Sequence, residues 1–110
     1  MAPTPFTYPA IVLRWVDGDT CDVLLTVVPH PNLAQNARLR LLGVDTPERG
    51  QSGYREATAR CVSLAPIGSR VLVQLVSVDS FGRYLSHVYA GEESIADVLL
   101  EEGYAVPYLK

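Results

Sequence analysis

The 110-residue sequence predicts a mainly β fold that carries two helices. Five short segments have the composition or the apolar–polar alternation of strands, and they cover residues 11–16, 22–28, 37–44, 71–78 and 84–90. Helical patterns lie between the third and fourth segments and after the fifth. Five short strands with a helix inserted after the third are typical of a small Greek-key barrel of OB type.

The first three strands are separated by clear turn signals. Residues 1–10 contain three prolines and are expected to form an extended lead-in to a single domain of residues 11–110. Asp17 and Gly18 form a hairpin signal between the first two strands. Pro47 ends the third strand, because proline cannot donate to a strand ladder.

Both helices are predicted from spacing and end signals. In residues 52–64 the apolar side chains recur on one helical face, namely Tyr54, Ala57, Cys61 and Leu64. Pro66 and Gly68 end this helix. Ser94 and Asp97 stand three apart, as a capping pair does, before the second helix, and Gly103 suits the position just after its end.

The charge is unevenly distributed along the chain. The net charge is -3, but residues 1–91 hold eight arginines and seven acids, a balance of +1 that a bound divalent ion would raise to +3. The other five acids lie between Glu92 and Glu102 and are expected to face solvent away from any phosphate chain. This distribution is compatible with a nucleic-acid partner.

Composition also excludes several classes of protein. No apolar run approaches the roughly 20 residues that span a bilayer, and the N-terminus lacks the pattern of a signal peptide. A cytoplasmic protein without membrane contact is therefore expected. Cys21 and Cys61 are expected to be reduced and buried, and two cysteines alone cannot hold a structural zinc ion.

Three separated segments contain the polar residues of chemical interest, and they are residues 17–20, 40–48 and 79–83. Each alone is explained by turn chemistry. Together they offer carboxylates for a hard divalent cation, with Asp19 and Asp45 as the pair that neighbouring strands would bring together. Arg40 lies five residues before Asp45, an odd spacing that places them on opposite strand faces unless the strand is irregular, and Gly43 is a plausible site for that irregularity. Metal, cationic donors and a carboxylate for water are the requirements of phosphoryl transfer.

The same motifs, in this order and spacing, resemble the staphylococcal nuclease family. They are Val16-Asp17-Gly18-Asp19-Thr20, then Arg40-Leu41-Leu42 followed by Val44-Asp45-Thr46-Pro47-Glu48, then Phe81-Gly82-Arg83. The resemblance extends to Leu99-Leu100 and Gly103-Tyr104-Ala105 and covers roughly residues 11–108. Three motifs in the right order are far more specific than any one alone.

The resemblance implies a role for each matched residue. It implies direct Ca²⁺ ligation by Asp19, Asp45 and the Thr46 carbonyl, with another divalent ion as an alternative, and it places Asp17 in contact with these ligands. It implies that Glu48 orients or deprotonates the attacking water, and that Arg40 and Arg83 hold the scissile phosphate. Three aromatic residues are expected to contact substrate: Tyr108 as the better candidate for stacking on a base, Tyr104, which is equally well explained as a core residue, and Phe81.

The implied activity is an endonuclease acting on single-stranded or frayed DNA or RNA with little sequence preference, leaving 3′-phosphate ends, in a monomeric protein. The alternative is an OB-fold module that binds nucleic acid without cutting it. The presence of the complete acidic and basic set favours the enzyme. His30 and His87 are expected to be structural, since the implied chemistry needs no imidazole.

One energetic consequence follows from this set of carboxylates. Without metal, Asp17, Asp19, Asp45 and Glu48 repel one another. Replacing Asp19 or Asp45 by asparagine is therefore expected to stabilise the metal-free fold by ~0.5–2 kcal/mol while removing activity.

Overall fold

The computed structural model describes residues 7–25 and 35–108. Within these ranges the elements follow one another as β1 (Thr7–Trp15), β2 (Thr20–Leu25), β3 (Gln35–Leu41), β4 (Val44–Asp45), α1 (Tyr54–Leu64), β5 (Arg70–Val78), β6 (Tyr84–Ala90), β7 (Glu93–Ser94), α2 (Ile95–Glu101) and β8 (Val106–Pro107). The sheet order is β3-β2-β1-β5-β6-β7, and parallel pairing of β3 with β6 closes the five longer strands into a barrel. The predicted mainly β fold, a five-stranded OB-type barrel with two helices, is confirmed.

Alternation along the strands builds the core. On β2 and β3 the residues that point inward are fully buried, whereas Arg38 between two of them is exposed. The core is completed by α2, from which Ile95 and Leu99 enter with no exposed surface. Trp15 closes one end, and its indole N–H donates to the carbonyl of Ala65 at 3.0 Å, so its polar group is satisfied inside the fold.

The first strand is longer than the sequence predicted. It begins at Thr7 rather than residue 11, because residues Thr7 to Ile11 pair with β5. Pairing with β2 starts only at Ala10. Pro9 therefore lies in the part of β1 that does not pair with β2, and such an edge position tolerates proline.

The third predicted strand is divided in two. Residues 37–44 were expected to be continuous, but β3 ends at Leu41 and β4 begins at Val44. Gly43 between them has a φ of +80°, in the left-handed region that glycine favours. The irregularity expected at Gly43 is thus present. The end of the second predicted strand, residues 26–28, and the loop 29–32 with His30 lie outside the described residues.

The helices agree closely with prediction. α1 begins at Tyr54, two residues later than expected, and buries Ala57 and Cys61. In α2 the hydroxyl of Ser94 accepts a hydrogen bond from the N–H of Asp97, which confirms the predicted cap. None of the helices in the described part of the chain is long and apolar enough to cross a membrane.

Candidate active site

A cleft of about 630 Å³ opens where three turns and the C-terminal segment meet. These are the β1–β2 turn, the β3–β4 turn and the β5–β6 turn, together with the end of β8. The cleft is lined by eight of the ten residues that the sequence singled out: Asp17, Asp19, Arg40, Asp45, Thr46, Glu48, Arg83 and Tyr108. The fold therefore brings all three polar segments to one place.

Asp19 is a largely buried carboxylate whose two oxygens both accept hydrogen bonds. Its side chain is only 10% exposed. One oxygen accepts from the N–H and from the hydroxyl of Thr46, both at 3.1 Å, and the other accepts from the hydroxyl of Thr20 at 3.1 Å. Asp19 thereby ties the β1–β2 turn to the segment that follows β4.

Asp17 and Asp19 lie in the same turn, but their pKa values are shifted in opposite directions. The carboxylate of Asp17 accepts from the N–H of Asp19 at 3.0 Å, an Asx-type contact that shapes the turn. Burial raises the pKa of Asp17, and the neighbouring Asp19 raises it further. Burial also acts to raise the pKa of Asp19, but its hydrogen bonds and the Arg40 charge outweigh it and hold that pKa below the ordinary value. Of this pair, Asp19 is therefore the carboxyl group whose ionised form the fold favours.

Gly18 allows the turn to approach α1. Its φ lies outside the left-handed region, so the Asp-Gly hairpin signal does not act here through a positive φ. Instead, a Cβ at this position would lie 2.9 Å from the Cβ of Ala57 and 2.9 Å from the hydroxyl oxygen of Thr46. The Cys61 thiol also donates to the Gly18 carbonyl at 3.3 Å. The absence of a side chain is what lets Asp19 reach Thr46.

Arg40 bridges the two predicted metal ligands. Its Nη2 atom lies 3.5 Å from an oxygen of Asp19 and 3.4 Å from an oxygen of Asp45. Its Nη1 atom donates to the carbonyls of Leu41 and Val44 at 2.7 and 2.8 Å, and the side chain is 11% exposed. Arg40 thus also holds the β3–β4 turn together, a structural role that the sequence did not indicate.

Arg83 reaches the cleft from the β5–β6 turn. Its Nε donates to Asp79 at 2.8 Å, and the other oxygen of Asp79 accepts from the N–H groups of Phe81 and Arg83. Burial opposes the charge of Asp79, but these hydrogen bonds outweigh it and lower the pKa of Asp79. The Nη atoms of Arg83 make no hydrogen bond within the described residues, so they are available to an anion in the cleft.

Glu48 and Tyr108 complete the rim of the cleft. Glu48 is exposed, and its side chain makes no hydrogen bond within the described part of the chain. Tyr108 is 47% exposed and is held by its N–H, which donates to the Gly43 carbonyl at 2.9 Å. Its ring centroid lies 5.6 Å from the guanidinium carbon of Arg40, within cation–π range.

Two of the predicted aromatic contacts do not line the cleft. Tyr104 is partly buried and packs against the hydrophobic core, as its alternative interpretation expected. Phe81 is 82% exposed at the tip of the β5–β6 turn, with its ring centroid 5.6 Å from the guanidinium carbon of Arg83. Of the three aromatic candidates, Tyr108 alone lies in the cleft itself.

The cleft also contains residues to which the sequence analysis gave no role. Asp79 positions Arg83, and the available signal was an aspartate at the first position of a turn with glycine three residues later. His87, expected to be structural, lines the cleft beside Leu85, because both project from the outer face of β6. The alternation of β6 was visible in the sequence, but its parallel pairing with β3 was not.

The charge of the cleft bears on which ions it can hold. Five acidic side chains line it, Asp17, Asp19, Asp45, Glu48 and Asp79, against two arginines, which gives -3 when all are ionised. Among the residues that the structure describes, no three or more His, Cys, Asp and Glu side chains are grouped to hold a metal ion. The set implied by the resemblance needs only two such side chains, and Asp19 and Asp45 do face one shared cationic nitrogen. Carboxylate and carbonyl oxygens are the donors that Ca²⁺ and Mg²⁺ take.

The fold and the site together define the class of domain. It is a closed OB-type barrel in which α1 is inserted after β4, and it carries a cleft lined by carboxylates and guanidiniums. The family model described as "Staphylococcal nuclease homologue" matches residues 38–110, and the chain belongs to this family.

Three relatives illustrate the similarity. The chain is 34% identical over 106 residues to "Micrococcal nuclease" of Shigella flexneri, covering 88% of this chain and 56% of that protein. It is 33% identical over 73 residues to "Probable staphylococcal-like nuclease CAN3" of Oryza sativa subsp. japonica, covering 66% and 19%. It is 35% identical over 79 residues to "Uncharacterized endonuclease" of Escherichia coli O157:H7, covering 72% and 46%. The chain thus spans about half the length of the first of these and less of the others.

Proposed function

We propose that this domain is a metal-dependent endonuclease that hydrolyses phosphodiester bonds in DNA or RNA with little sequence preference. The observation that carries the proposal is the convergence of Asp19, Asp45 and Glu48 with Arg40 and Arg83 in one cleft. Three of the relatives compared carry nuclease or endonuclease names. The family resemblance adds Ca²⁺ as the ion, 3′-phosphate ends as the products, and a single-stranded or frayed chain as substrate.

The charge of the cleft supports the need for a cation. With five carboxylates and two guanidiniums, the metal-free cleft would repel a phosphodiester. Asp19, Asp45 and the Thr46 carbonyl are the groups we assign to the ion, since the two carboxylates already share one guanidinium nitrogen. A bound divalent ion neutralises charge and polarises a phosphoryl oxygen.

Each remaining residue has a task that its environment allows. Glu48 has an exposed carboxylate without a hydrogen-bonding partner in the described residues, so it is able to accept a proton from water. Arg83 presents its Nη donors while Asp79 fixes its Nε, and this preorganisation suits charge that develops on a phosphate. Tyr108 offers its exposed ring to a base.

The test is a cleavage assay on single-stranded DNA and RNA with Ca²⁺, Mg²⁺ or Mn²⁺ and with excess EDTA. We expect cleavage with at least one divalent ion, none with EDTA, and at least ~10²-fold slower cleavage by Glu48→Gln, within the range typical of a general base. Full activity in EDTA would refute the metal assignment. Metal-dependent binding of oligonucleotides without cleavage would instead identify a binding module.

A further inference from the structure

A second surface lies on the outer face of the barrel, over β1, β2 and β3. It is a shallow groove of about 410 Å³, which we name the arginine groove, and it is lined by Leu13, Arg14, Asp22, Asn36, Ala37 and Arg38. Arg14 and Arg38 face each other across Asp22, because Asp22 pairs with Arg14 of β1 on one side and with Arg38 of β3 on the other. Among the residues that the structure describes, no other charged side chain lines this groove.

Asp22 holds both guanidiniums in place. Its oxygens accept from Arg14 Nε at 2.9 Å, from Arg38 Nε at 2.8 Å and from Arg38 Nη2 at 3.1 Å. The hydrogen bond from Arg38 is the main reason why the pKa of Asp22 lies below its ordinary value. One acid between two arginines leaves a local charge of +1.

Both arginines keep donors for a further anion. Their side chains are 60% and 45% exposed. Arg14 uses only its Nε, and Arg38 uses its Nε and Nη2, in bonds to the described residues. The remaining Nη groups have no partner among the described residues and are donors of the kind that bind phosphate oxygens.

The arginine groove and the cleft are neighbours on β3, which supplies Arg38 to the groove and Arg40 to the cleft. Arg38 and Arg40 are two residues apart on β3, so they project from the same face about 6.6 Å apart. The acidic residues from Glu92 to Glu102 line neither the groove nor the cleft, so they add no negative charge to either lining.

We propose that the arginine groove binds backbone phosphates of a single-stranded nucleic acid whose scissile phosphate lies in the cleft. The proposal rests on the proposed function, since it assigns more of the same substrate to the surface beyond the reacting bond. It predicts that longer strands bind better than short ones, because their additional phosphates contact the two arginines of the groove. Stability alone does not explain the arrangement, because ion pairs of exposed arginines contribute only modestly to folding.

The experiment compares Arg14→Gln/Arg38→Gln with the unchanged protein and with Arg55→Gln as a matched control, since Arg55 is an exposed arginine on α1 that lines neither site. Binding of a 20-nucleotide single strand is measured by fluorescence anisotropy from 50 to 300 mM salt, in the Glu48→Gln background so that the strand is not cut. Cleavage of a dinucleotide and of the 20-nucleotide strand is measured in proteins that retain Glu48. Circular dichroism melts verify that the variants fold.

We expect the double variant to bind the long strand several-fold more weakly, with a salt slope smaller by about 0.7 for each arginine lost. The preference for the long strand over the dinucleotide should shrink, whereas the control should keep it. A single Arg38→Lys should retain most of the salt slope. If the double variant folds, cuts the dinucleotide, and binds the long strand with unchanged affinity and slope, the inference is wrong while the proposed function stands. If the unchanged protein neither binds nor cuts either substrate, both fail.

Discussion

Replacing Asp19 and Asp45 by asparagine, one at a time, separates the loss of hydrogen bonds from the relief of charge repulsion. From the sequence, both changes were expected to stabilise the metal-free fold by relieving repulsion. In the structure the Asp45 side chain is 51% exposed, and its carboxylate bonds only to Arg40 among the described residues, at 3.4 Å. Asp19 is almost buried and accepts three hydrogen bonds from Thr46 and Thr20. The two carboxylates should therefore behave differently.

The magnitude for Asp19 is obtained from its hydrogen bonds. Bonds to a charged acceptor contribute about 1.5–3 kcal/mol and bonds between neutral groups about 0.5–1.5 kcal/mol. Asparagine keeps an oxygen for Thr46 but not the charge. We therefore expect Asp19→Asn to lower the free energy of unfolding of the metal-free protein by about 1–2 kcal/mol after partial relief of repulsion from Asp17. The lowered pKa of Asp19 agrees in sign, because it means that the fold favours the ionised form.

Asp45→Asn should change the same free energy by no more than about 0.5 kcal/mol, as is usual for an exposed charge. The assay is urea unfolding in EDTA, repeated with Ca²⁺ and in 1 M salt. If Ca²⁺ is the ion of the proposed site, it should stabilise the unchanged protein and stabilise both variants less. An Asp19→Asn protein that is more stable than the unchanged one in EDTA would refute the hydrogen-bond reasoning and restore the repulsion expected from the sequence.

Three further predictions concern the arginines, Gly18 and acid stability. Arg83→Ala should lower kcat about 10²-fold or more with little change in the free energy of unfolding. Arg40→Ala should lower both activity and stability, because the Arg40 Nη1 atom donates to two backbone carbonyls. Near-normal rates in Arg83→Lys would show that Arg83 is only a turn residue. Gly18→Ala should destabilise the fold by about 1–3 kcal/mol through overpacking, and adding Ala57→Gly should recover part of the loss in a double-mutant cycle; additive losses would place the strain elsewhere. Asp22 and Glu102 have folded-state pKa values below their ordinary values of 3.8 and 4.5. The stability that they contribute is therefore present above the ordinary pKa values and is lost as the pH falls through the folded-state pKa values. Urea midpoints that fell already between pH 7 and 5 would contradict this assignment.

The fold could be predicted because its signals are local. The cap formed by Ser94, the face that Ala57 and Cys61 share, and the turn at Gly43 each depend on residues close in sequence. The start of β1 was missed for the opposite reason. Residues Thr7 to Ala10 are ordered by β5, more than sixty residues later in the chain, and no local pattern reports such pairing.

The site was predicted through motif order and not through geometry. The sequence could place Asp19 and Asp45 near each other, but it could not tell that Asp19 is buried and bonded while Asp45 is exposed. That difference arises where Thr46 folds back onto the β1–β2 turn. His87 and Asp79 were given no role because the former depends on parallel pairing of β3 with β6, and the latter on a turn that closes around its own arginine.

The position of α1 explains how the barrel maintains this site. The β1–β2 turn rests on α1 at successive points: the Tyr54 hydroxyl donates to the Val16 carbonyl at 3.3 Å, and the Cys61 thiol donates to the Gly18 carbonyl. Between them Gly18 lies so close to Ala57 that a methyl group would not fit. On its other side the same turn receives Thr46. A helix inserted after β4 and the segment leading into it both contact one glycine. The distance from Asp19 to Thr46 is therefore fixed by packing, and the Asp19 carboxylate is held in one position within the cleft.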